Sequence, residues 1–287
     1  MAMTDLFAPP DETVDFASED GTELYGEFIR AGKPVGTALI VHGYAEHCGR
    51  YREVSRVLAS IGFNTLAFDL RGHGKSAGAR GYVHSFPQYL KDVAAADREL
   101  TKFQPENGKR LLVGHSNGGL ITLRLLSDRS NGLTFNGAVI SSPFLGLKLE
   151  VPLAKRFVGR LASRLAPKLS LPNALRPELL TSCPERQAAR ERDLLCHSVA
   201  NVRWFTEVER TWKFVAKNAD RITTPTLWLV AGNDQIADPN ATRAIQKRVA
   251  ARCDFHVFDD MQHEVFNEKG RDKVFSLLRE FCRSALL

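Results

Sequence analysis

Nothing limits what this chain can fold into more than the stretch Leu111-Leu-Val-Gly114-His-Ser116-Asn-Gly118-Gly119. An aliphatic run stops at a glycine, presents one serine and restarts as the apolar sequence Leu120-Ile-Thr-Leu-Arg-Leu-Leu. The pattern predicts a buried strand over 109–113, a sharp turn and a helix. A residue at such a turn sits in strained backbone geometry and needs small neighbours, which Gly114, Gly118 and Gly119 supply. The turn also aims the first helical N–H groups at the oxygen beside Ser116, where negative charge builds up during attack on a carbonyl. Ser116 is therefore the candidate nucleophile. In a chain with 21 glycines the GxSxG pattern alone has moderate weight, and the strand-to-helix setting gives it meaning.

The rest of the chain supplies that setting. Residues 11–30 alternate apolar and polar around Asp20-Gly21, the pattern of a β-hairpin with one wet face. Thr37-Ala-Leu-Ile-Val41 and Asn64-Thr-Leu-Ala-Phe-Asp69 read as strands buried on both faces, with a helix over 51–60 between them. Arg71-Gly-His-Gly-Lys-Ser76 lacks the spacing of a phosphate-binding loop and reads as a turn at the carboxyl edge of a sheet. A helix over 86–103 and a strand over 135–140 continue the alternation, which implies a mostly parallel, doubly wound sheet of the α/β class. The sheet pattern resumes with a strand over 225–232, a helix over 241–249, a strand over 255–258 and a closing helix over 273–281.

Between them, 144–219 has no strand-like apolar run and is punctuated by five prolines, so it reads as a helical lid inserted between a first core part, 1–143, and a second, 220–287. It carries 14 Lys/Arg and 7 Asp/Glu, net +7, which leaves −1 for the rest of a chain whose total is +6. The basic balance is therefore local, and with no recognisable nucleic-acid motif a nucleic-acid partner is not expected. Five scattered cysteines, without metal-ligand spacing, fit free thiols in a reducing compartment. No run of 18 apolar residues occurs and the N-terminus lacks a signal-peptide pattern, so a cytoplasmic protein is expected.

An activated serine needs a base within hydrogen-bond reach and an acceptor that fixes the base's tautomer. Asp234 lies just beyond the 225–232 strand and His263 five residues after the strand ending at Phe258, both on the carboxyl edge that holds Ser116. The order Ser116, Asp234, His263 is the one this architecture uses. Asp238 remains open as the acid and His256 as the base. His42-Gly43-Tyr44 ends the first parallel strand, so the Tyr44 N–H and the Asn117 N–H are the expected oxyanion donors. His42, His115 and His73 read as structural. No metal or cofactor is required.

Val41-His-Gly-Tyr-Ala-Glu-His-Cys-Gly-Arg-Tyr51, Phe68-Asp-Leu-Arg-Gly-His-Gly-Lys-Ser76, Gly114-His-Ser-Asn-Gly-Gly119 and His263-Glu-Val-Phe-Asn-Glu268 together resemble the monoacylglycerol lipase and lysophospholipase group of the α/β-hydrolase fold. The resemblance spans nearly the whole chain and is weaker over 144–190; Glu191-Arg-Asp-Leu-Leu-Cys-His197 resembles a turn of that group's lid. It implies the same nucleophile, acid, base and oxyanion positions, and a small ester or monoacylated lipid as substrate. The chain departs from the pattern at Asn117, where many relatives carry Met, and at Tyr44, where many carry a smaller residue. Both bear on the acyl pocket rather than the chemistry.

In Leu153-Ala-Lys-Arg-Phe-Val-Gly-Arg-Leu-Ala-Ser-Arg-Leu165, helical spacing places Phe157, Val158, Leu161 and Leu165 on one arc flanked by Arg156, Arg160 and Arg164. Either the arc packs on the core, or it rests on anionic lipid; the resemblance favours peripheral membrane contact. The rival activities are a short-chain carboxylesterase, and an aminopeptidase-like hydrolase that would need an amine anchor such as Glu207 or Glu209. A non-catalytic ligand-binding homologue would have no need of all three of Ser116, Asp234 and His263.

Overall fold

A computed structural model describes residues 8–148, 153–173 and 175–286, with the side chains of residues 129 and 153–158 outside the description. Strands β1 (Glu12–Ala17) and β2 (Glu23–Ile29) pair antiparallel around the expected turn. There Gly21 takes φ +80°, and the Thr22 N–H and hydroxyl both donate to the Asp20 carboxylate. Six further strands run parallel to one another: β3 (Gly36–Val41), β4 (Phe63–Phe68), β5 (Lys109–His115), β6 (Gly137–Ser141), β9 (Thr226–Ala231) and β10 (Cys253–Phe258). The sheet has eight strands in the order β1-β2-β4-β3-β5-β6-β9-β10.

The unbroken apolar runs of β3 and β5 follow from burial on both faces. In β3, Leu39 and Val41 enter one core with Tyr89 and Val93 of α2 (Pro87–Thr101) and Leu120 of α3 (Asn117–Leu126). Ala38 and Ile40 point the other way, toward Val54 and Leu58 of α1 (Arg52–Ala59) and Phe275 and Phe281 of α9 (Arg271–Ala285). The period-2 alternation of a strand thus feeds two separate cores. The chain leaves β3 for β4 on one side and returns to β5 on the other, so a crevice opens beyond the carboxyl ends of these strands.

The 71–76 glycine loop sits at that edge. Arg71 donates to both carboxylate oxygens of the fully buried Asp92 on α2 (2.6 and 2.8 Å) and to Asp20 of the hairpin turn (2.7 Å). One guanidinium fork therefore ties loop, helix and hairpin together.

The stretch between β6 and β9 departs from the helical expectation. It contains α4 (Leu153–Leu165), α5 (Pro177–Leu180), α6 (Pro184–Glu191) and α7 (Val202–Asn218), but also an antiparallel pair, β7 (Ser170–Pro172) with β8 (Val199–Asn201). Three residues per strand are too few to show a period of two, and the partners lie far apart in sequence. Among the described side chains of α4, Ser163 is buried, while Leu161 and Leu165 are 49% and 78% exposed. These two leucines therefore do not pack on the core; Phe157, Val158 and Arg156 lie outside the described side chains. No helix among the described residues is long and apolar enough to cross a membrane.

Candidate active site

The turn after β5 has the strain the sequence calls for: Ser116 sits at φ +52°, ψ −114°. For a non-glycine residue such a conformation costs about 1–3 kcal/mol and persists only where its surroundings fix it. Here they do. The Ser116 N–H donates to the Ser141 carbonyl on β6 (2.9 Å), and its carbonyl accepts from Leu120 of α3 (3.0 Å) and from Phe144 (2.9 Å). A Cβ at Gly114 would strike Thr122 and the Gly118 carbonyl, and one at Gly118 would strike the carbonyls of Val41 and His42, so strand and helix close on the elbow through glycine alone.

The loops after β9 and β10 complete the arrangement. His263 Nε2 lies 2.8 Å from Ser116 Oγ, and His263 Nδ1 lies 2.6 Å from Asp234 Oδ2. All three residues are buried. The second Asp234 oxygen accepts from the Ile236 and Ala237 N–H groups (2.8 and 2.9 Å), which orients the carboxylate. The Asp234 contact selects the tautomer with the proton on Nδ1, so Nε2 faces the serine as an acceptor. Burial pulls the His263 pKa down, but the Asp234 charge and hydrogen bond outweigh it and hold the value above the usual 6.5.

The alternatives are occupied elsewhere. Asp238 caps α8 (Pro239–Gln246) by accepting from the Asn240 N–H (2.9 Å), and His256 lies within β10. His42 uses both ring nitrogens on backbone: Nδ1 donates to the Gly43 carbonyl (2.6 Å) and Nε2 accepts from the Leu70 N–H (3.0 Å). His115 Nδ1 meets Ser141 Oγ at 3.0 Å, and burial lowers its pKa to about 4. His73 bonds the Arg71 carbonyl through Nδ1 (3.0 Å).

A family model described as serine aminopeptidase, S33, matches residues 32–270. The chain belongs to that family of α/β hydrolases. Its relatives include a phospholipase of Bacillus subtilis, 29% identical over 88% of this chain and 96% of that protein. A monoacylglycerol lipase of Mycolicibacterium smegmatis is 28% identical over 90% of this chain and 92% of its own. The crystal structure of a Paleococcus ferrophilus monoacylglycerol lipase superposes with a TM-score of 0.81 at 30% identity, covering 91% of this chain and 99% of that one.

In this α/β hydrolase a cleft of about 770 Å³, counting its mouth, opens over Ser116 and His263. Phe144, Leu147, Leu175, Trp204, Phe205 and Ile236 give it an aromatic and aliphatic wall; Glu46, Arg190 and Glu264 give it a charged corner. The corner is self-neutralising. Glu46 accepts from the Gly43 N–H (2.6 Å), the Tyr51 hydroxyl (2.7 Å) and Arg50 (3.0 Å), and Arg50 also bonds Glu264. Burial alone would raise the Glu46 and Glu264 pKa values, but the Arg50 charge holds both carboxyls below their usual range.

Sequence reasoning gave Glu46, Arg50 and Arg190 no role. The i,i+4 spacing of Glu46 and Arg50 was the available signal; Arg190 comes from α6, too distant in sequence to be paired by pattern. Glu207 and Glu209, the residues the rival aminopeptidase-like reading could use as amine anchors, are both engaged: Glu207 with Arg203 and Arg210 of its own helix, Glu209 with Arg160 of α4. Among the described residues, one group has the make-up of a metal site: His47, Asp193 and Cys196. His47 Nδ1 accepts from the Gly49 N–H and Nε2 meets Asp193 at 2.7 Å, so both ring nitrogens are in use, and burial raises the Cys196 thiol pKa to about 12. The group is a hydrogen-bonded His–Asp pair beside a protonated thiol.

Proposed function

We propose that this chain is a cofactor-independent serine hydrolase that cleaves carboxylic esters of monoacylated lipids. The observation that carries the reading is the hydrogen-bonded line Asp234–His263–Ser116 at the floor of a cleft with a long apolar wall and one charged, neutralised corner. His263 Nε2 takes the Ser116 proton as Oγ bonds to the ester carbonyl carbon. The oxygen that gains negative charge accepts from the Tyr44 and Asn117 N–H groups; Asn117 is the first residue of α3, so its N–H has no partner carbonyl within the helix. The C–O bond to the alcohol then breaks and the imidazolium protonates the leaving oxygen. Water, deprotonated by His263, releases the acyl group and restores Ser116.

An acyl chain suits the apolar wall, and a polar alcohol suits the corner, where Glu46 and Glu264 accept and Arg190 donates. Peptide hydrolysis from a free amine fits less well. The two carboxylates are balanced by Arg50 and Arg190, leaving no net negative charge to hold an ammonium. Hydrolysis of a p-nitrophenyl ester series from acetate to palmitate, beside an aminoacyl arylamide, tests this. The expected optimum of kcat/KM lies at medium or long chains, with the arylamide at least about a hundredfold slower. An optimum at acetate would turn the reading to a small-ester carboxylesterase, and arylamide turnover at ester rates to a peptidase.

The reading extends to the surface that delivers such a substrate. Leu161, Leu165, Leu169 and Leu171 are exposed beside the exposed cations Arg160, Arg164 and Lys168, which suits contact with an anionic bilayer. Sedimentation with phosphatidylcholine vesicles is expected to recover little protein. Vesicles with about one third phosphatidylglycerol should recover most of it, less so as salt rises or in Leu165→Asp. Equal recovery on both vesicle types removes the role of the cations, and no recovery on either removes the membrane contact.

A further inference from the structure

Both residues assigned as oxyanion donors act through backbone, yet both have their side chains held by one residue of α7. The Trp204 indole stacks on the Tyr44 ring with centroids 3.6 Å apart and planes 19° from parallel. Its Nε1–H donates to the Asn117 side-chain oxygen at 3.3 Å. All three residues are buried, Asn117 completely. Trp204 is itself anchored at the start of its helix. Asn201 caps α7 by accepting from the Arg203 and Trp204 N–H groups (2.8 and 3.2 Å), while its own N–H donates to the Tyr44 hydroxyl (3.1 Å). That hydroxyl donates onward to the Gly81 carbonyl at 2.9 Å.

We propose that Trp204 is a positioning residue that sets the spacing of the two oxyanion donors, so that the hole is complete only when α7 is seated on it. This rests on the reading of the Tyr44 and Asn117 N–H groups as the hole. The donors come from different strand ends, β3 and β5, and a useful donor must lie about 2.7–3.1 Å from the developing oxyanion. The Gly43 N–H bond to Glu46 fixes the loop just before Tyr44, but Tyr44 itself is held through its side chain. One rigid indole touching both residues defines their separation with little conformational freedom. Trp204 also lines the cleft, and an acyl-wall residue would act on KM; a residue that sets the hole acts on kcat.

Trp204→Phe keeps a ring over Tyr44 and removes the indole N–H. Its kcat on the best ester is expected to fall about tenfold with KM within about twofold, since a small misplacement of catalytic groups has a disproportionate effect on rate. Affinity for a trifluoromethyl ketone, which forms a tetrahedral adduct, should fall by the same factor as kcat/KM, whereas a non-hydrolysable alkyl glycerol ether should bind as to wild type. Asn117→Ala, which keeps the backbone N–H and loses the acceptor, should reproduce the kcat loss, and adding Trp204→Phe to it should change kcat less than about twofold. If Trp204→Phe does not fold, Asn117→Ala with the same two ligands carries the test. A rise in KM with kcat intact, or effects of the two substitutions that multiply, overturns the proposal. Ser116→Ala separates the failures: retained hydrolysis there removes the serine reading and this proposal together, whereas a dead Ser116→Ala beside an unaltered Trp204→Phe removes only the role of Trp204.

Discussion

Ser116→Ala is expected to lower kcat on the best ester by about 10⁶-fold, with a melting temperature at or above that of the wild type. The hydroxyl has no substitute within reach. His263 Nε2 lies 2.8 Å from Oγ and is the proton acceptor in the proposed reaction; without Oγ it can only direct water at the carbonyl from a greater distance. Alanine keeps the backbone bonds to Ser141, Leu120 and Phe144, so the φ +52° elbow stays braced and carries no more strain than serine does. His263→Ala should cost about as much, and the double variant little more, because the groups act as one unit. A residual acceleration of about 10³–10⁴ over water is expected from the oxyanion donors and substrate binding. Steady-state kinetics with active-site titration measures all three, and a loss under tenfold in Ser116→Ala would end the nucleophile assignment.

How much of this was legible beforehand depended on the range of the pattern. The strand at 109–115, the elbow and α3 could be read because an aliphatic run, a serine among glycines and a second aliphatic run lie within about twenty residues and obey one local geometry. Asp234 and His263 could be placed because each follows a strand by a few residues, and a parallel sheet puts all such loops at one edge. Legibility ended where the determining contacts were non-local. The β7–β8 pair joins segments that carry no periodicity of their own. Helical spacing alone defines the α4 arc, but which face of a helix is buried depends on its packing partner; here α4 packs against α7, and Ser163 is buried while Leu161 and Leu165 face out. The same holds for Trp204 and Arg190, whose neighbours Tyr44 and Ala45 are about 150 residues away in sequence.

Asp234→Asn separates geometry from charge. The amide has nearly the shape of the carboxylate, and its oxygen can still accept from Ile236 and Ala237, so the loop should keep its form. Its NH₂ group, however, can donate to Nδ1 and hold the tautomer in which Nε2 carries the proton, leaving no acceptor for the serine hydroxyl; kcat is expected to fall about 10⁴-fold. The pH profile should move as well. In the wild type, burial lowers and the Asp234 charge raises the His263 pKa, with a net value above 6.5, so kcat/KM climbs with pH through a value higher than that of a free imidazole. Without the Asp234 charge and its hydrogen bond, burial is opposed only by the smaller effects of the Glu264 and Glu46 charges, and the acid limb should shift to lower pH. Stability follows the same sign. A histidine whose folded pKa exceeds its unfolded one stabilises the fold fully below 6.5 and loses that contribution as pH rises through the folded value. With the pKa depressed in Asp234→Asn, the histidine's contribution should instead be present above 6.5 and fade as the solution is acidified. An acid limb that stays in place, beside a loss of rate, would mean that Asp234 positions the ring without setting its charge.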